Sequence, residues 1–175
     1  MDAFNDFVGS STFWRILLFF HFVMAVGLLA TITLHTVAAW APLQQPAGNV
    51  PADFVPANFV ARVRSVPPMS YVLIVVILYV PAFLLGSWVY VKYRTYVRIP
   101  MEQIGHWKTV GVFEFKEHIV SMGLALLPAY WYFWRQPLAP EYATIRKWVT
   151  LFLAVTIWYS FLVGHTANDF RGVGA

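Results

Sequence analysis

From Ile16 to Trp40 the chain passes no Asp, Glu, Lys or Arg, and the same holds from Val66 to Val91. Apolar runs of this length constrain folding more than any other feature here, because a helix of ~20 apolar residues is what crosses the hydrocarbon of a bilayer. Two further runs are shorter and closer to charge, ending at Trp134 and His165. The expected architecture is an all-α integral membrane protein, a single domain built as a four-transmembrane-helix bundle, with spans at about 13–40, 71–93, 112–134 and 148–168. Composition agrees. Hydrophobic residues make up 59% of the 175 and charged ones 11%, less than half the ~25% typical of soluble domains. The mean hydropathy is +0.62.

Pro81 and Pro128 fall inside the second and third spans, where prolines are tolerated and predict kinks. A Pro-rich loop from Ala41 to Met69, with six prolines, separates the first two spans. Within it, PANFVARVRSV (56–66) suits a short surface helix with Arg62 and Arg64 towards lipid headgroups. RIPMEQIGHWKTVG (98–111) is polar enough for the interface. The acidic leader (Asp2, Asp6) and the length of the first apolar run argue for a retained first span rather than a cleaved signal peptide.

An even number of spans puts both termini on one side. That side would hold Arg15, Lys92, Arg94, Arg98, Lys108, Lys116 and Arg171, against Arg62, Arg64, Arg135, Arg146 and Lys147 on the other. The surplus of basic residues favours cytoplasmic termini, as in a bacterial inner membrane. The net charge of +4 is accounted for by loops beside the spans and by anionic membrane lipid, so no nucleic acid partner is expected. Cysteine is absent, which excludes disulfides, thiolate metal sites and thiol nucleophiles. No Ser/His/Asp constellation or phosphate-binding glycine loop is present.

The chemistry lies with the histidines. In HFVMAVGLLATITLH (21–35) two imidazoles bracket an apolar stretch. Fourteen positions fall roughly 40° short of whole turns, so His21 and His35 share a helix face and stand roughly 21 Å apart in height. Tracing the helices by depth brings His21, His118 and His165 into the membrane half nearer the termini, whereas His35 lies towards the other surface with no histidine partner. His106 belongs to the interfacial segment. Glu114 and His118 are four apart on one helix, and His165 and Asp169 are four apart on another, so each pair shares a face.

Three chemistries fit. His21 with His118 or His165 could ligate one b-type haem, an arrangement common between facing bundle helices. A non-haem metal site could draw on His21, His118 and His165 with Glu114 and Asp169. Carboxylate–imidazole pairs could instead serve a proton or quinone site. Against these stands the plain reading that the charged residues snorkel to water and the histidines satisfy helix ends. AYWYFW (129–134) reads chiefly as an interfacial aromatic belt.

With four spans and intramembrane histidines at His21, His35, His118 and His165, the chain resembles the four-helix membrane b-type cytochromes of the b561-like class. The resemblance implies haem b and electron exchange with quinone or a partner redox protein; the chain departs from the di-haem members of that class in having only His35 in one membrane half, so one haem is expected rather than two. The competing expectations are a cofactor-free accessory subunit of a larger respiratory or photosynthetic membrane complex and, third, a non-haem metal membrane enzyme.

Overall fold

The computed structural model describes residues 9–41 and 58–170, the side chains of 167–170 excepted. The Pro-rich stretch 42–57 lies outside the described residues. Helix α1, Ser11–Trp40, begins where the Ser10 hydroxyl accepts the Phe13 N–H at 3.2 Å, which satisfies one of the unpaired donors of a first turn. The predicted surface helix is present as α2, Phe59–Ser65, capped by Asn58, whose side chain accepts the Ala61 N–H at 2.8 Å. Arg64 does not reach outward only. Its guanidinium donates to Ala41 O at 3.1 Å and ties α2 to the end of α1.

Helix α3, Pro68–Tyr93, starts on a proline, which suits a first turn whose N–H groups have no partner in the helix. It runs through Pro81 and continues into a wider π-type turn, Arg94–Arg98, and the short α4, Ile99–Gln103. Gly105, at φ 79°, makes the corner into α5, Trp107–Trp134, which runs unbroken through Pro128. After a turn of 3-10 helix at Pro140–Tyr142, α6 spans Ala143–Phe170.

The long helices α1, α3, α5 and α6 form a ring in which α1 touches α3 and α6, and α5 touches the same two. Phe13 against Trp88, His35 against Tyr71 and Trp134 against Thr150 set neighbours antiparallel. Three stretches are long and apolar enough to cross a membrane: Ser11–Trp40, Pro68–Gln103 and Pro140–Thr166. Helix α5 is as long as the others but falls short in apolarity, because Lys108, Glu114, Lys116 and Glu117 crowd its first turns. The outer faces are apolar, with Phe19, Leu84 and Val155 exposed, the pattern of helices that meet lipid outside and one another inside.

The main core lies in the half of the ring away from the termini and joins Leu28, Ile32, Val72, Val75, Leu127, Tyr130, Leu153 and Ile157. This end is tied off by polar contacts. Tyr71 Oη donates to Val63 O at 2.8 Å, and Trp40 Nε1 to Lys147 O at 3.2 Å. Trp134 Nε1 donates to Thr150 Oγ1 at 3.0 Å. Arg146, almost fully buried, donates to the carbonyls of Gln136 and Ala139 at 2.8 and 3.0 Å. Buried polar groups need such internal partners, because leaving one unpaired away from water costs free energy.

Candidate functional site

In the opposite half, where α1 and α5 begin and α3 and α6 end, the helices part around a cavity of about 440 Å³. Its deep wall is Leu28, Tyr79, Val120 and Ile157, and its rim carries Arg15, Lys116, Glu117 and His165. Aromatic stacking builds one side. Tyr93 lies on Phe113 with centroids 3.7 Å apart, and Lys116 Nζ sits 4.0 Å from the Phe113 centroid while pairing with Glu117 at 2.6 Å. A cavity that is apolar inside and charged at the rim suits an amphiphilic ligand.

His21 lines this cavity, half-buried. Its Nδ1 stands 3.0 Å from Ala82 O on α3. A carbonyl can only accept, so the ring donates Nδ1–H and, when neutral, carries its lone pair on Nε2. A backbone carbonyl on one ring nitrogen is the arrangement that orients metal-ligating histidines through the other. His165 reaches the same cavity from α6, its ring stacked along Phe161 at 6.3 Å.

His118 does not join them. It is exposed on α5, outside the cavity lining, and donates Nδ1–H to Glu114 O of its own helix at 2.8 Å. Glu117 lines the cavity, and the next residue along a helix is turned by about 100°. Depth therefore agrees with the expectation for His118, and facing does not. Glu114 is also committed elsewhere: both carboxylate oxygens accept from Tyr90 Oη, at 3.0 and 3.1 Å, and Arg98 approaches at 3.2 Å. Arg98 pairs in turn with Glu102 at 2.7 Å, which fastens α4 to α5. Among the described residues no group of three or more His, Asp or Glu side chains is arranged to hold a metal ion. The side chain of Asp169, one of the residues of the non-haem alternative, lies outside the described residues. His106 is exposed at the start of α5.

His35 lies in the other half, apart from the other histidines, and has no exposed surface at all. Its Nδ1 is 2.5 Å from Tyr130 Oη, and its ring is enclosed by Tyr71, stacked at 5.2 Å, and Trp134, tilted at 4.4 Å. Its Nε2 is buried with no hydrogen-bond partner. Tyr130 must be the donor in this pair, since the reverse would orphan the phenol proton as well. AYWYFW is thus no simple belt. Tyr130 and Trp134, four apart, turn inward onto His35, while Tyr132 faces out. That i,i+4 spacing was the available signal.

Compared with family models, with curated proteins and with solved structures, the chain matches none.

Proposed function

We propose that this chain is a membrane electron-transfer protein, or a subunit of one, and that His21 and His165 would hold a single b-type haem in the cavity. The observation that carries the reading is His21: an imidazole whose Nδ1–H is fixed by a backbone carbonyl, in a cavity that also receives a second histidine from the neighbouring helix. The donor set fits. Two imidazoles suit haem iron, the absence of cysteine fits a haem that is not covalently attached, and Arg15 at the rim suits its carboxylates. When bound, haem supplies a one-electron couple whose potential its ligands and surroundings set. The protein's part is to hold the imidazoles, to keep water from the apolar walls and to offset the carboxylates. Quinone or a partner redox protein exchanges electrons with the site. The setting is a bacterial inner membrane with both termini cytoplasmic, a reading supported by the count of basic residues on each side.

The test is a dithionite-reduced minus oxidised spectrum of the purified protein. A Soret band and a sharp reduced α-band are expected, lost in His21→Ala, weakened in His165→Ala and kept in His118→Ala. A colourless protein that takes up no hemin would sink the haem reading. The reading then favoured is a cofactor-free accessory subunit of a larger membrane complex, which the charged first turns of α5 would suit if another subunit covered them.

A further inference from the structure

We infer that Gly86 is a positioning residue for His21: its missing side chain is the space in which the imidazole lies. A Cβ built on Gly86 would stand 2.9 Å from His21 Cε1, 3.5 Å from Nδ1 and 3.7 Å from Nε2. The first distance is inside van der Waals contact, so one of the two groups must move. Gly86 sits one helical turn beyond Ala82, whose carbonyl His21 engages at 3.0 Å. The two residues together form a seat on α3, the carbonyl taking the Nδ1 proton and the bare Cα admitting the ring edge. What gives way on adding a methyl is the far end of the histidine, not backbone. The helix should therefore survive the substitution while the imidazole loses its place and its fixed tautomer. Gly164, on α6, supplies the control, because it lines the same cavity but a Cβ there meets nothing within 4 Å.

The role for His21 rests on the haem reading, but its seating does not, and the experiment separates the two. The full chain in detergent micelles, labelled with ¹⁵N-histidine and free of haem, is examined by NMR above the pH at which imidazole titrates, with His21 assigned from His21→Asn. Wild type and Gly164→Ala should both show His21 protonated on Nδ1 and bare on Nε2. Gly86→Ala should lose that single-tautomer pattern. A Gly86→Ala protein that keeps it would overturn the inference. Should Gly86→Ala fold poorly, the pair Gly86→Ala and His21→Ala decides. The double variant removes the ring that the methyl strikes and should match His21→Ala in stability, and equal damage with and without the ring refutes the seat. In haem-loaded protein, Gly86→Ala should bind haem about 10–100-fold more weakly. Loss of the tautomer in a protein that never binds haem would uphold the seat and overturn the proposed function.

Discussion

Gly123 offers a test of how tightly α3, α5 and α6 are fitted. Tyr79 Oη donates to Val120 O across the α3–α5 contact at 2.9 Å. A Cβ on Gly123 would overlap that hydroxyl and come within 3.1 Å of both Tyr79 Cζ and Thr156 Cγ2. Thr156 is 2% exposed and closed in, and Tyr79, 3% exposed, could yield only towards the cavity it lines, at the loss of its bond to Val120 O. For Gly123→Ala, overpacking should cost ~1–3 kcal/mol and the displaced buried hydroxyl another ~1–3 kcal/mol. The gain in helix propensity offsets ~1 kcal/mol. The expected loss is therefore ~1–5 kcal/mol, read as a shift of the unfolding midpoint in a detergent–SDS titration followed by tryptophan fluorescence. Tyr79→Phe removes the oxygen that the methyl strikes, so the double variant should be more stable than the sum of the two single losses requires. Full additivity, or a Gly123→Ala protein as stable as wild type, would show that the helices have slack at this crossing.

Two other substitutions probe the closed end. Tyr130→Phe removes the partner of His35 Nδ1 and leaves an entire imidazole unpaired in the core, at an expected cost of ~1–3 kcal/mol in the same titration. A neutral result would mean that the ring finds another partner on relaxation. Arg146→Met keeps length but loses two charge-assisted bonds to Gln136 O and Ala139 O. Limited proteolysis should then cut between residues 135 and 142 faster than in wild type, and an unchanged rate would deny the arginine its hold on that loop.

How far the sequence could be read depended on what each signal encodes. Apolar length located α1 within a few residues, because the run without charge that ends at Trp40 is written in the chain. Rise per residue also placed His21 and His165 in one half of the bundle, where they line one cavity. Facing is a different matter. A helix apolar on all sides carries no stripe to mark its buried face, so His118 could be assigned a depth but not a direction. For His35, height along the helix gave the end of the bundle but says nothing of Tyr71, Tyr130 and Trp134 closing around it. Gly86 and Gly123 are illegible in advance, since a glycine at a helix crossing looks the same in sequence as one facing lipid.

The polar ties that close one end of the bundle have a mechanical meaning. Helices joined at one end by Arg146, Tyr71 and Trp134 and parted at the other around a cavity are cantilevers, stiff at the root and compliant at the tip. Opening should begin where the helices are parted and reach the His35 end last, as local unfolding follows contact density. The spread of those tips sets the width of the cavity that His21 and His165 line.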